Sequence, residues 1–191
     1  MLLIDEDTQL DFMTPAGALY VPGAERLIPA LERIFAGARA RGIPVLSSVD
    51  AHAENDPEFA QWPAHCVAGT LGQQKIPETL WKDRAVVPNH PGIELPVSAP
   101  QVVVEKQTLD VFTNPNFARL LEAHPGQECV VFGVATDYCV RYAVEGLLSA
   151  GRKVAIVTDA IRAIDQEAGQ RWLEGWAARG VRLTTSTALW A

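Results

Sequence analysis

Six short apolar runs recur along the chain at intervals that a helix can bridge: LLI from Leu2, IPVLSSV from Ile43, VVVE from Val102, CVVFGV from Cys129, KVAIVTD from Lys153 and VRLTT from Val181. They read as continuous rather than alternating, the mark of strands buried on both faces of a parallel sheet. Helical patterns stand between them over 24–41, 116–123, 138–150 and 166–179, several followed by a glycine (Gly42, Gly151, Gly180) in the C-cap role. Strand alternating with helix predicts the α/β class: a three-layer α/β/α arrangement around a mostly parallel, six-stranded, Rossmann-like sheet with right-handed crossovers.

The 191 residues suit one domain over 1–191, large enough to bury an apolar core without disulfides. A formal charge of −7, with no cluster of Lys and Arg, argues against nucleic acid and for a small-molecule partner. No stretch is long and apolar enough to cross a bilayer, and the first apolar run is too short and lacks the basic lead of a signal peptide, so no membrane role is expected. Three cysteines, Cys66, Cys129 and Cys139, are an odd number that suits a reducing, cytoplasmic compartment better than a disulfide framework.

Ligands bind such sheets at the carboxyl ends of the strands. The residues to inspect are therefore Asp7, Asp50, Lys106, the 135–139 segment and Asp159. The stretch 50–100, rich in Pro, Gly, His and Trp, is too long for a plain connection and reads as a functional excursion.

Cys139 follows a strand (CVVFGV) and a short turn, and opens a helix, with Thr136 or Asp137 as the expected N-cap. A thiol in a first helical turn faces unpaired N–H groups and the positive end of the helix dipole, which lower its pKa and offer an oxyanion site. Read locally, it is either that nucleophile or a small buried hydrophobe; Cys129, inside its apolar run, is the latter. Asp7 and Lys106, also at strand ends, would supply proton shuttle and charge partner if the three converge. Taken singly, Asp7 reads equally as a helix-capping carboxylate and Lys106 as a solvated lysine; if the three converge, Asp7 is the working carboxylate, with Asp5 and Glu6 serving structure or solvation and Asp11 a supporting hydrogen-bond partner.

Asp50 and His52, two apart in an extended segment, point the same way, and His65 returns from a loop held by Trp62 and Pro63. One carboxylate and two imidazoles form a Zn²⁺, Fe²⁺ or Mn²⁺ pattern, the alternative being two merely exposed histidines, and Cys66 is expected to point away. His90 and His124 receive no role. Asp159 reads as a loop carboxylate and Asp165 as a helix N-cap. Neither phosphate-cradling glycine motif is present, so no nucleotide is expected.

These signals coincide in one pattern. D-x-Q-x-D-F is present at 7–12, followed by GALYVPGAERLIP; D-x-H stands at Asp50 and His52; WPAHCVAGT includes His65; Lys106 sits in VVVEKQTLDVF; and GVATDYCV carries Cys139. The sequence resembles the nicotinamidases of the isochorismatase-like cysteine hydrolase superfamily over nearly its whole length. The resemblance implies hydrolysis of nicotinamide to nicotinate and ammonia, in pyridine nucleotide salvage, through Asp7, Lys106 and Cys139 and a thioester. It implies one divalent metal, zinc foremost, on Asp50, His52 and His65. It further implies a cis peptide between Val134 and Ala135 that turns the Ala135 and Cys139 N–H groups to one oxyanion, and an aromatic substrate ring between Phe12 and Trp62 and against Ala135. A homo-oligomer, a dimer, is expected.

Two positions depart from the family pattern: QTLDVFTNPNF after Lys106 lacks the usual Tyr-Ser-Gly-Phe stretch, and Asp56 stands where some relatives carry a further histidine. The alternatives are another member of the superfamily, acting on carbamoyl or ureido amides or on isochorismate, and more distantly a haloacid dehalogenase-type phosphatase. The latter is suggested by IDEDT, but Thr8-Gln9 breaks its D-x-D-G-T motif.

Overall fold

The structure, a computed structural model, describes residues 1–191. Its strands are β1 (Leu2–Glu6), β2 (Val45–Asp50), β3 (Arg84–Val87), β4 (Gln101–Lys106), β5 (Cys129–Val134), β6 (Val154–Arg162) and β7 (Arg182–Thr184), and its helices α1 (Leu10–Met13), α2 (Ile28–Arg41), α3 (Phe117–Glu122), α4 (Cys139–Ser149) and α5 (Gln166–Ala178). The strands form one sheet in the order β3-β4-β2-β1-β5-β6-β7, and every neighbouring pair is parallel. The α/β expectation holds, with helices flanking the sheet.

The sheet has seven strands, not the expected six. The additional one, β3, is a short edge strand inside the excursion whose first three residues are not buried, so its RAVV carries no long apolar run. β1, β2 and β5 are buried along their entire length, as continuous apolar runs require. They supply the centre of an apolar core completed by residues such as Leu31, Ile34, Val140, Val144 and Trp176.

Helix boundaries follow local chemistry. α2 begins at the Ile28-Pro29 step, the residues before it (Ala24–Leu27) forming a 3-10 turn, and ends on Gly42, whose φ of 61° lets its N–H close on the Ala38 and Arg39 carbonyls. Asp165 caps α5 by accepting from the Glu167 and Ala168 N–H groups. α4 differs from expectation: its N-cap is Tyr138 and no side chain caps it. Asp137, an expected cap, instead accepts from the Ile164 and Asp165 N–H groups across the loop. Asp159 lies within β6, not in a loop, because the strand runs on to Arg162.

The chain fills one side of β1 with β2, β3 and β4 and then crosses to β5 on the other, so the strand order reverses beside β1, where ligands bind in open parallel sheets. Register does the rest. Asp50 is the partner of Lys106, and Glu6 of Gly133, at the carboxyl ends. Gly133 has φ of 117°, and a Cβ there would stand 2.0 Å from the Glu6 carbonyl oxygen. Gly133→Ala should therefore destabilise the fold by about 3 kcal/mol or more; an unchanged denaturation midpoint would show that the strand end tolerates the side chain.

Candidate active site

Three groups meet beyond the ends of β1, β4 and β5. Lys106 Nζ lies 2.8 Å from Asp7 Oδ2, in an ion pair off the hydrogen-bond line, and 3.8 Å from Cys139 Sγ. It also donates to Asp50 Oδ1. Asp7 and Lys106 are fully buried and Cys139 is 5% exposed. Asp7 leaves β1 with φ of 48°, a left-handed conformation that Asp adopts more readily than most residues. Its Oδ1 accepts from Ser48 Oγ at 2.6 Å.

The electrostatics follow from burial and pairing. Burial pushes the Lys106 ammonium down, but Asp50, Asp7 and Cys139 outweigh it and hold its pKa well above the ordinary value. Burial raises the Asp7 carboxyl, and the nearby Lys106 charge only partly offsets this. Burial also raises Asp50, yet Lys106 and the two imidazoles bring it below the usual carboxylate range. The Cys139 thiol is pushed well above its ordinary value, first by burial and then by Asp7 and Asp50, against the pull of Lys106. The helix terminus predicts a shift in the opposite direction; here the loss of water and two anions outweigh one ammonium.

Asp5 and Glu6 are fully buried, so neither serves solvation. Asp5 binds Lys75 Nζ at 2.8 Å and accepts from Ser47 and Thr8. Thus occupied, it has no place in a phosphatase-like site. Asp11, as expected, supports: it accepts from the Cys66 N–H at 2.7 Å and the Ala18 N–H at 3.0 Å.

Asp50, His52 and His65 offer ligand atoms that all lie within 4.8 Å of one another. Asp50 Oδ2 is 3.7 Å from Nε2 of each imidazole. His65 Nδ1 pairs with the Pro63 carbonyl at 2.7 Å, which puts its proton there and leaves the Nε2 lone pair free. Nε2 of His52 is buried with no hydrogen-bond partner, and Asp56 Oδ2 lies 3.0 Å from its Nδ1. An orphaned imidazole nitrogen beside a carboxylate oxygen is the donor set of a divalent transition metal. Cys66 is outside this group and its Sγ faces the Gly72 carbonyl.

Above these groups opens a pocket of about 400 Å³, mouth included, in which 10 of 13 lining residues are hydrophobic. Phe12, Trp62, Ala135 and Cys139 share it with Asp50 and His65. Leu109, from the atypical segment after Lys106, supplies wall, as do Tyr138 and Ile164; Trp62 and Tyr138 meet edge-on at 5.4 Å between centroids. The Val134–Ala135 peptide is cis. Neither the Ala135 nor the Cys139 N–H donates to a protein acceptor.

Sequence reasoning missed Gln9, Ser48 and Glu58. Gln9 reads both sides of the Asp50 backbone, its Nε2 donating to the carbonyl at 2.8 Å and its Oε1 accepting the N–H at 2.7 Å. Glu58 lines the pocket from a 3-10 turn (Pro57–Ala60) of the excursion. Their signal was present only for Gln9, as part of D-x-Q-x-D-F; Ser48 and Glu58 are ordinary in their local context.

Residues 1–188 match the family model described as the isochorismatase domain. The chain is 30% identical to the nicotinamidase of Escherichia coli K12, the match covering 97% of this chain and 93% of that one. It is 29% identical to an N-carbamoylsarcosine amidase of Arthrobacter over 77% of this chain and 53% of that one. These relatives define the class: the protein is a hydrolase that acts on carbon–nitrogen bonds of amides. Its fold superposes on the pyrazinamidase of Pyrococcus horikoshii, solved in complex with zinc, with a TM-score of 0.79 and 28% identity over 96% of this chain and 98% of that one. The chain belongs to the isochorismatase family.

Added zinc should bind at about one ion per chain and raise the thermal midpoint of the wild type, by mass action on the folded state. His52→Ala and His65→Ala should lose both effects. Equal zinc retention by wild type and both variants, read by metal analysis after dialysis, would place the ion elsewhere.

Proposed function

We propose that this protein is a cysteine-dependent nicotinamidase, converting nicotinamide and water to nicotinate and ammonia. The observation that carries the reading is the Lys106 ammonium held between the Asp7 carboxylate and the Cys139 thiol, with Cys139 lining an apolar pocket. Phe12 and Trp62 flank the ring, and Ala135 packs against it. Asp50, His52 and His65 would hold a divalent cation, zinc foremost, which when bound supplies a Lewis-acid contact for the lone pair of a ring nitrogen.

The resting thiol is neutral, so its proton leaves as the sulfur attacks. Asp7 takes that proton while Cys139 Sγ bonds to the carboxamide carbon. The oxyanion is received by the unused N–H groups of Ala135 and Cys139. Asp7 returns the proton to the departing nitrogen, ammonia leaves and a thioester remains. Water, deprotonated by the same carboxylate, then attacks the thioester; the acid is released and the sulfur regains its proton. Lys106 keeps Asp7 ionised between steps and offsets the charge that builds on sulfur. The three unpaired cysteines support a cytoplasmic setting for this chemistry.

A second reading, a carbamoyl or ureido amidase, is favoured by a polar cavity lined by Asp56, Gln61, Gln107, Thr108 and Asp110, which shares Glu58, Trp62 and Leu109 with the apolar pocket. A substrate with a polar extension would use both. Ammonia release should be screened over nicotinamide, pyrazinamide, N-carbamoyl amino acids and ureido compounds. Nicotinamide and pyrazinamide are the expected substrates, and turnover of carbamoyl compounds alone would favour the second reading. With the preferred amide, Cys139→Ala should lose activity by about a thousandfold or more and Asp7→Asn by about a hundredfold or more. Ammonia released by Cys139→Ala at the wild-type rate would end the thioester mechanism.

A further inference from the structure

Behind the triad two carboxyls share one hydroxyl. Ser48 Oγ lies 2.7 Å from Glu6 Oε2 and 2.6 Å from Asp7 Oδ1, and it accepts the Asp7 backbone N–H at 3.2 Å. A serine hydroxyl has one proton and two lone pairs. With both acids ionised, that proton could bridge only one of the two short contacts. The other would set lone pair against lone pair, away from solvent, since Glu6 and Asp7 are fully buried and Ser48 is 1% exposed. A second proton therefore resides on one of the carboxyls. Asp7 has the Lys106 ammonium at 2.8 Å to stabilise its charge. Glu6 has no cation in contact, and its Oε1 is buried without any partner. An unpartnered oxygen is far less costly on a neutral acid than on a carboxylate.

We propose that Glu6 is a positioning residue for the amide hydrolysis: as a neutral carboxylic acid it donates to Ser48 Oγ, and Ser48 donates to Asp7 Oδ1, which holds Asp7 ionised and leaves its Oδ2 for Lys106 and the thiol. The assignment rests on Asp7 being the base of the reaction. It uses every valence of Ser48, two accepted hydrogen bonds and one donated. The groups that face Glu6 are Asp5 and Asp7 along its own strand, Ser48 from β2 and Lys106 from β4; its β5 neighbour is Gly133. Burial first, then the Asp7 charge, push the Glu6 carboxyl up to about 8, against Ser48 and Lys106. Below that pH the acid is neutral and the chain of donors is intact. Above it Glu6 releases its proton to solvent, Ser48 has one proton for two anions, and kcat falls.

The test compares pH profiles of kcat and KM for wild type, Glu6→Gln, Glu6→Leu and Ser48→Ala on the amide identified by the ammonia screen. Glu6→Leu and Ser48→Ala should lose about ten- to a hundredfold in kcat with little change in KM. Glu6→Gln, which keeps an N–H donor toward Ser48 but cannot ionise, should recover most of kcat and lose the alkaline decline that begins near pH 8. A Gln variant as impaired as the Leu variant, or one with the wild-type alkaline limb, would overturn the proposal. Infrared spectra of wild type labelled with ¹³C-glutamate, after subtraction of the equally labelled Glu6→Gln spectrum, decide the protonation without turnover. A labelled carboxylic-acid carbonyl band is expected at neutral pH and should vanish by about pH 10; its absence at neutral pH would refute a protonated Glu6. Were no amide hydrolysed, the proposed function would fall while this band still reported on Glu6.

Discussion

A single buried ammonium organises this molecule's functional end. Lys106 is fully buried and touches Asp7 from the end of β1, Asp50 from the end of β2 and Cys139 from the start of α4. An isolated charge in such a place would cost several kcal/mol, and removing one member of a buried pair typically costs about 3–5 kcal/mol because the partner is left stranded. The ammonium is tolerable because the carboxylates surround it, and they in turn because it is there. Each anion then has a second task. Asp7 faces the thiol, and Asp50 turns its other oxygen to two imidazoles. The proposed reaction chemistry and the candidate metal ligands thus share one cation.

The arrangement is held from outside by the excursion between β2 and β4. Gln9 clamps the Asp50 backbone and also donates to the Gln73 carbonyl at 2.7 Å, while Lys75 reaches back to Asp5 and Thr8, each at 2.8 Å. Asp11 fixes the backbone beside His65 by accepting the Cys66 N–H. The excursion that carries two of the three candidate metal ligands is therefore pinned to the end of the first strand by buried polar contacts. Such contacts have directional requirements that apolar packing lacks, which suits them to fixing ligand positions.

Much of this was legible beforehand because the signals were local. The continuous apolar runs marked the central strands, since burial on both faces leaves no room for alternation. Gly42 marked the end of α2 through its left-handed φ, and Asp165 the start of α5 through its side-chain cap. Asp7 and Lys106 were visible because each directly follows or ends a strand, and Cys139 because it opens a helix after a strand and a short turn. What was not legible depended on partners distant in sequence. β3 owes its existence to pairing with β4 rather than to its own composition. Asp137 looked like a cap but found better donors at Ile164 and Asp165. The direction of the thiol's shift was not legible because helix-terminus stabilisation is a local effect, whereas desolvation and the Asp7 and Asp50 charges arise from the assembled site.

The sequence by itself determined the α/β class, the order of elements and the places of the candidate side chains at strand ends and a helix start, because residue periodicity and turn chemistry act over a few neighbouring residues. The tertiary structure alone decided which side chains come within hydrogen-bond reach of one another. Only parallel register brings Asp50 opposite Lys106, and only the approach of β2 to β1 sets Ser48 between Glu6 and Asp7. Proton placement depends on distances of a few ångströms between groups some forty to a hundred residues apart, and no local pattern in a chain encodes those.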